Sequence, residues 1–357
     1  MMGRALRNVA LSALLGVLIV SVLRGRPWLL GWAALILVLA RSTLARRPRS
    51  ARVAYRLTPC LAIAAALGLA LQALGVAVHG DLGRSAGFLP HANTAAATTV
   101  ALWTLLAVCS AMMPSRGGRW WTIGRGLLVF GSCLSGLLLL AAGSRSLMFG
   151  LLFGIVVAAA ARKPRTLGWR AWLPLGAAVA TLGVGLLVSA RLRPDVDSVL
   201  GSFERGPIFM AALEIAALSP WTGLGDGAWT RWAPSVEPSL PLAAAVHTHS
   251  VPLEALVGGG AIGLAALLVL LVLGARSLLA RRAGDGALAG SALIVGVVAL
   301  AVQGLVDLAV LYPGVYAPLA LAMASWDVLS DVRPEARKER GHGEQGVERG
   351  SSGAVSR

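Results

Sequence analysis

The sequence predicts an all-α membrane protein, a bundle of about ten transmembrane helices. Apolar residues make up 57% of the 357 residues and charged residues only 13%, whereas soluble domains carry about 25% charged residues. Several apolar runs approach or reach the roughly 20 residues that a helix needs to cross a bilayer. The basic residues fall in short clusters between these runs. This composition excludes ordinary soluble, disordered and coiled-coil proteins.

Ten apolar segments are candidates for the spans. The run from Val9 to Leu23 follows two arginines, but no small-residue cleavage site comes after it, so we expect it to be the first span rather than a signal peptide. The ten predicted spans are roughly residues 9–23, 28–45, 57–77, 94–113, 124–142, 146–161, 171–189, 252–274, 287–306 and 309–329.

The basic residues predict the orientation of the bundle. The formal net charge is +16, and before Asp195 the only acidic residue is Asp81. With the N-terminus inside, 18 basic residues fall on the inner face and eight on the opposite face, and the segment after Ser330 adds six more inside. Cytoplasmic loops carry the excess of Lys and Arg, so we expect both termini to be cytoplasmic.

The domain organisation follows from the spans. Residues 1–330 form a single transmembrane domain, and residues 331–357 are expected to be a disordered cytoplasmic tail. Residues 190–248 form one long extracytoplasmic loop between spans seven and eight. Within it, Val199 to Ala217 has helical character and is expected to lie on the membrane surface as a short amphipathic helix.

Four arginines on the outer face are candidate anion-binding residues. Arg145 stands in a tight connection between spans five and six, where an arginine is costly unless it pairs with an anion or reaches the lipid headgroups. Arg191, Arg193 and Arg205 follow on the same side. Guanidinium groups bind phosphate oxygens in a planar, bidentate manner, so these arginines are suited to a pyrophosphate if they converge.

His247 and His249 precede span eight and are the candidate proton acceptors. A neutral imidazole can take a proton from a hydroxyl near pH 7. A metal site is disfavoured because no cysteine or third histidine accompanies the pair. A polar cap at the start of the helix is the simpler alternative, and Ser250 is equally suited to that role.

Other residues leave alternatives open. Asp195 and Asp197 form an Asp-x-Asp pair of the type that holds Mg²⁺ or Mn²⁺, although two acids in a polar loop are usually only solvated. The glycines at positions 258–260 and 263 are expected to be a small face for helix packing. Asp307, at the outer end of span nine, either neutralises an arginine or faces water. Phosphate-binding loops and zinc-protease motifs are lacking in the sequence.

Four separated stretches together resemble the bacterial O-antigen ligase and O-antigen polymerase superfamily. Residues 87–96 are similar to the family's Gly-Phe and Pro-Asn-x-x-Ala entry into a span, and residues 144–146 resemble its Ser-Arg-Gly. Residues 205–227 are similar to the family's Arg…Pro…Gly-x-Gly loop. Residues 249–263 resemble its His-x-x-x-Leu…Gly-x-x-Gly sequence. The order of the motifs and their side of the membrane also agree.

The resemblance implies a membrane glycosyltransferase of the bacterial inner membrane with its active site on the periplasmic face. Its partners would be a glycan donor linked to polyprenyl (undecaprenyl) pyrophosphate, membrane lipid, and a hydroxyl acceptor on lipid A core, another glycan or a protein, with no nucleic acid. Catalysis would fall to His249, Arg145 and Arg205, and substrate binding to the residues Arg191, Arg193, His247 and Asn93. The resemblance implies no cofactor and no metal, and transfer with inversion in a single displacement.

Two other classes of protein compete with this interpretation. A transporter or flippase would show repeats and polar residues near the middle of the membrane, whereas here the polar residues lie at the outer ends of the spans. A scaffolding protein would leave the arginines and the histidines without a common purpose. The residues do not discriminate between a ligase and a polymerase, because both use the same donor chemistry.

Overall fold

The computed structural model describes the chain in separate stretches. These are residues 48–79, 88–89, 91–113, 119–160, 205–225, 227–238, 248–280, 287–307, 315, 317–323 and 325–326. The predicted spans 9–23, 28–45 and 171–189, the end of the chain after residue 326 and most of the last predicted span lie outside them.

Eight helices are bounded within the described residues, and those residues contain no strand. Residues 317–323 are also helical. The eight helices are α1 (Pro48–His79), α2 (Ala92–Met112), α3 (Arg119–Ala142), α4 (Arg145–Ala160), α5 (Arg205–Ala217), α6 (Ala228–Val236), α7 (Val251–Ala280) and α8 (Ala287–Gly304).

The described helices are those of an integral membrane protein. Three contain stretches long and apolar enough to cross a bilayer, namely Leu57–Val78, Ala92–Met112 and Thr122–Ala142. Shorter apolar helices cover Arg145–Ala159, Val251–Ala265 and Leu288–Gly304. These positions coincide within a few residues with six of the ten predicted spans. The total number of spans and the orientation of the bundle stay predictions.

Helix α1 turns a face rich in small residues into the bundle and a face of large apolar residues outward. On α1 the buried face carries Ala62, Ala65 and Leu69, whereas Leu67 and Leu71 on the other face are 59% and 60% exposed. A soluble protein rarely exposes so continuous an apolar surface. In lipid the arrangement is stable, because small side chains let helices approach and large ones contact the acyl chains.

The helices α1, α2, α3, α4 and α8 form the main bundle around one apolar cluster. Helix α2 is central and packs against α1, α3 and α8. Helix α4 packs closely on α8 through two glycines one turn apart. A Cβ atom on Gly150 would lie 2.7 Å from the carbonyl oxygen of Ala299, and one on Gly154 would lie 2.8 Å from that of Val295.

Helices α5, α6 and the first part of α7 form a second cluster, here called the α5–α7 unit, with the connecting residues 218–225 and 227. The helix predicted at Val199 to Ala217 is helical as α5 over Arg205–Ala217, and residues 199–204 lie outside the described residues. The amphipathic character predicted for this helix is not confirmed. Its buried face carries Ile208 and Ile215, but Met210 and Leu213 on the other side are 60% and 47% exposed. Helix α5 is therefore apolar on two faces.

Candidate functional site

Arg145 is the first residue of α4 and follows a two-residue corner after α3. Gly143 has a φ of 59°, which glycine adopts without strain, and its N–H donates to the carbonyl of Leu139 at 3.0 Å. Ser144 is buried and its carbonyl accepts from the N–H of Met148, so it begins the new helix. The tight connection predicted here is confirmed, and it fixes Arg145, half-buried, at the end of the bundle.

Asn93 and Asp307 are joined by a side-chain hydrogen bond. The amide nitrogen Nδ2 of Asn93 donates to Oδ2 of Asp307 at 2.5 Å, although the residues are 214 positions apart. Gln303 is fully buried, and its Nε2 donates to the backbone carbonyl of Asn93 at 3.2 Å. Asp307, which the sequence left undecided, therefore belongs to a polar cluster that joins the start of α2 to the end of α8.

The packing register brings Arg145 to the same end of the bundle as this cluster. The pairs Gly150–Ala299 and Gly154–Val295 show that α4 and α8 run antiparallel. One further turn in the same register puts Arg145 level with the last turn of α8, where Gln303 lies. We call this end of the bundle the Arg145 end.

His249 precedes α7 in a left-handed backbone conformation. Its φ is 53°, and it is the one residue other than glycine with a positive φ among the described residues. Its side chain is half-exposed, whereas the neighbours Thr248 and Ser250 are 0% and 3% exposed. Non-glycine residues held in this region cost free energy and cluster at functional sites. The local structure therefore leaves the His249 side chain half-exposed and buries the side chains of Thr248 and Ser250 beside it.

The residues around His249 are held by Glu254 in the first turn of α7. The N–H of Thr248 donates to Oε2 of Glu254 at 3.3 Å, and the Thr248 hydroxyl lies 3.1 Å from the same oxygen. The carbonyl of Ser250 lies 2.9 Å from that hydroxyl and accepts from the N–H of Glu254 at 2.9 Å. The loop before α7 is thus tied to the helix on both sides of His249.

Helix α7 is broken at Gly260, and the connecting loop fills the break. Gly260 has φ 61° and ψ −159°, a conformation that essentially only glycine adopts. Before the break, the carbonyls of Val257 and Gly258 accept from the N–H groups of Leu224 and Gly225, both at 3.0 Å. Backbone groups that leave a helical ladder in an apolar setting need new partners, and here the loop supplies them.

Beyond the break the hydrogen bonds run in the opposite sense. The N–H groups of Ala261 and Ile262 donate to the carbonyls of Pro220 and Trp221 at 2.7 and 3.2 Å. The side chain of Arg231 on α6 donates to the carbonyl of Leu224 at 3.2 Å and holds the loop from its other side. Loop residues 220–225 are therefore hydrogen-bonded on both sides of the break.

Two glycines allow this contact. A Cβ atom on Gly260 would collide with the backbone of Trp221 and Gly223, and one on Gly223 would collide with the backbone of Gly258 and Gly259. Of the glycines predicted to form a packing face between helices, Gly260 breaks α7 and admits the loop. Gly223 of the Gly-x-Gly motif and Gly260 of the Gly-x-x-Gly motif therefore meet in one contact.

Arg205 and His249 lie on the same side of the α5–α7 unit. Helix α5 packs on the first part of α7, with Ile208, Ala212 and Ile215 in a cluster with Leu253 and Val257. The chain leaves α5 at Ala217 and reaches the break within a few residues. Helix α5 and the first part of α7 therefore both end near the break. Their N-terminal ends lie at the opposite side of the unit, where Arg205 begins α5 and His249 precedes α7.

Several predicted site residues lie outside the described residues, namely Arg191, Arg193, His247, Asp195 and Asp197. Among the residues that are described, no group of three or more His, Cys, Asp or Glu side chains is placed to hold a metal ion. The predicted residues that are described fall in two places: Asn93 and Arg145 at the end of the bundle, and Arg205 and His249 in the α5–α7 unit.

Sequence reasoning missed Glu254, Thr248 and Gln303. Glu254 stands out as an acid at the start of an apolar run, next to a histidine, and this signal could have singled it out. Gln303 is an amide inside an apolar span, which is costly without a partner. Thr248 gives no such signal, because its role depends on hydrogen bonds that only the folded chain forms.

These features define a class of protein, an all-helical integral membrane protein with polar groups in two places. Arginine and carboxylate groups lie at the end of the bundle. Arginine, histidine and carboxylate groups lie in the α5–α7 unit, whose loop is hydrogen-bonded to the broken helix α7. Residues 130–268 match the Wzy_C family model, described as O-antigen ligase. The predicted resemblance is confirmed over this region, which is O-antigen ligase-like and contains Arg145, Arg205 and His249. No curated protein matches the chain.

Proposed function

We propose that the protein transfers a glycan from a polyprenyl-pyrophosphate-linked donor to a hydroxyl acceptor, at the periplasmic face of the bacterial inner membrane. The observation that carries this proposal is the O-antigen ligase match over residues 130–268. That region holds six of the seven site residues singled out from the sequence, all except Asn93. The half-exposed imidazole of His249 and the arginine at the α3–α4 corner agree with it.

The arginines bind the donor pyrophosphate in this mechanism. Arg145 and Arg205, with Arg191 and Arg193 in support, hold its oxygens through bidentate hydrogen bonds. As the bond between the anomeric carbon and the pyrophosphate oxygen breaks, negative charge grows on the leaving group. Fixed guanidinium groups stabilise that charge more strongly in the transition state than in the ground state.

His249 acts on the acceptor. Its imidazole takes the proton of the acceptor hydroxyl while the oxygen attacks the anomeric carbon, so that one glycosidic bond forms as the bond to pyrophosphate breaks. Asn93 and His247 contribute to substrate binding. A single displacement of this kind inverts the anomeric configuration. Pyrophosphate is a good leaving group, so the mechanism requires neither a metal nor a nucleotide.

Transport of a lipid-linked or anionic substrate is the second candidate, and one observation favours it. Transporters commonly bind their substrate at broken membrane helices, where freed backbone groups face the ligand. Helix α7 is broken at Gly260. However, the groups freed at Val257, Gly258, Ala261 and Ile262 are hydrogen-bonded to the loop. They are therefore occupied within the protein, which favours the transferase.

The test is a gel of surface and lipid-linked glycans from the native host. It compares the wild type, a deletion, and the deletion complemented with His249→Ala or Arg145→Ala at equal membrane levels. Matched controls are His91→Ala, an exposed histidine before α2, and Arg125→Ala, an exposed arginine at the other end of α3. We expect both site variants to behave as the deletion and both controls to complement it.

The pattern of the glycans also identifies the reaction. Single repeat units on the acceptor indicate a polymerase, and full-length chains retained on the polyprenyl carrier indicate a ligase. If the deletion alters no glycan, the transferase proposal is wrong and transport becomes the leading hypothesis.

A further inference from the structure

The chain before α7 is folded around the carboxylate of Glu254. One oxygen of this carboxylate, Oε2, accepts the N–H of Thr248 at 3.3 Å and lies 3.1 Å from the Thr248 hydroxyl. Thr248 is fully buried, so water does not compete for these groups. Two contacts to a single oxygen fix both the backbone and the side chain of Thr248 relative to the helix.

The residue on the other side of His249 is fixed by the same turn. The carbonyl of Ser250 accepts the backbone N–H of Glu254 at 2.9 Å and lies 2.9 Å from the hydroxyl of Thr248. Thr248, Ser250 and Glu254 thus close a ring of hydrogen bonds. His249 is the residue between the two anchored ones, its φ is 53°, and its side chain is half-exposed whereas theirs are buried.

We infer that Glu254, acting through Thr248, is a positioning residue for His249. The inference rests on the proposed function, in which His249 receives the acceptor proton. A general base must come within about 2.6–3.2 Å of the group it deprotonates. A displacement of about 1 Å can lower a rate by as much as about 100-fold. A loop residue in a strained backbone conformation keeps such a position only if its neighbours are held.

A purely structural role for Glu254 makes different predictions. A carboxylate in the first turn of a helix stabilises that helix through its interaction with the helix dipole, wherever the loop lies. Its loss would then lower the stability of the protein without changing the reactivity of the His249 imidazole. The reactivity of His249 therefore separates positioning from capping.

The experiment compares Glu254→Ala and Glu254→Gln with Glu214→Ala, which removes an exposed carboxylate of α5. Full-length protein in membranes of the deletion host is treated with diethyl pyrocarbonate, and mass spectrometry gives the modification rate of His249 relative to the exposed His91. Glycan transfer is measured in the same membranes from the initial rate of product formation.

We expect Glu254→Ala to speed the modification of His249 and to lower transfer by about 10- to 100-fold. Glu254→Gln should stay close to the parent in both measurements, because its amide oxygen accepts the same hydrogen bonds. Unchanged modification of His249 in Glu254→Ala would overturn the inference. So would an unchanged transfer rate in that variant, provided that His249→Ala is inactive. If His249→Ala itself transfers normally, the proposed function fails, and the modification rates still decide whether Glu254 positions the loop.

Discussion

His249 combines a left-handed backbone conformation with a half-exposed side chain. Its φ of 53° lies where glycine has no steric cost and β-branched residues are strongly disfavoured. The backbone conformation at this position and the chemistry of its side chain can therefore be tested separately with two substitutions.

We expect His249→Gly to fold with unchanged or higher stability and to lose transfer. Glycine relieves a strain of about 1 kcal/mol but offers no proton acceptor. His249→Val should lose transfer and also unfold at a lower temperature, since valine adds strain at this φ. Thermal unfolding of the detergent-solubilised protein, followed beside the transfer assay, checks both. A glycine variant less stable than the valine variant would contradict this interpretation of the backbone.

The pair formed by Asn93 and Asp307 makes a prediction of its own. Asn93→Asp sets two carboxylates against each other across a contact of 2.5 Å. Loss of a hydrogen bond to a charged group costs about 1.5–3 kcal/mol, and the repulsion adds to that. The variant should therefore be destabilised, and adding Asp307→Asn, which exchanges the two residues, should restore most of the loss. Unfolding midpoints of both single variants and the double variant measure the coupling.

At the scale of the elements, the break in α7 depends on a few glycines with different surroundings. Gly259 and Gly260 are neighbours in sequence. A Cβ atom on Gly259 has no atom within 4 Å, whereas one on Gly260 collides with the loop backbone. Of these two glycines, Gly260 has a positive φ and Gly259 does not. The pair is thus a matched test of whether the loop occupies the break.

We expect Gly260→Ala to destabilise the protein by at least about 2 kcal/mol, from the positive φ and the collision together. Gly259→Ala should be neutral or slightly stabilising, because alanine favours a helix. Gly223→Ala should resemble Gly260→Ala, as it meets α7 from the other side. Limited proteolysis in the 220–225 loop reports its release. Equal effects of Gly259→Ala and Gly260→Ala would contradict the described contact.

The contact between α4 and α8 is a second test at this scale. Gly150→Leu places a large side chain where backbone atoms of Ala299 lie. We expect the helices to separate, with loss of stability and of transfer, because Arg145 begins α4. Gly136→Leu on α3 is the control, since nothing lies within 4 Å of its Cβ position. Protein levels in the membrane and the glycan gel provide the measurement.

At the scale of the whole molecule, the part of the chain that the structure describes contains two apolar clusters, one in the bundle and one in the α5–α7 unit. The charge rule predicts that the Arg145 end and the α5–α7 unit share the periplasmic side. In a variant lacking Cys60, Cys109 and Cys133, a cysteine at exposed Ser235 should react with an impermeant maleimide added to intact spheroplasts. A cysteine at Arg125 should react only after permeabilisation. The reverse pattern would invert the predicted topology.

Sequence reasoning recovered the apolar helices because hydropathy is a local property. Six apolar helices, the corner at Gly143 and the end of α5 at Ala217 lie within a few residues of their predicted positions. The break at Gly260 was not, because the apolar pattern continues through it and the loop that fills it lies about 35–40 positions earlier in the chain. The bond between Asn93 and Asp307 joins residues 214 positions apart, which no local pattern reveals.

The break in α7 has a consequence for how the chain enters the membrane. On insertion alone, residues 251–280 would carry unpaired backbone groups at Gly260 into lipid, each at a cost of several kcal/mol, so a straight helix is the stable form of the isolated segment. The break becomes favourable only once residues 220–225 have arrived to pair with those groups. We therefore expect residues 251–280 to form a continuous helix in any state in which the loop is undocked, and to break at Gly260 only when the loop binds.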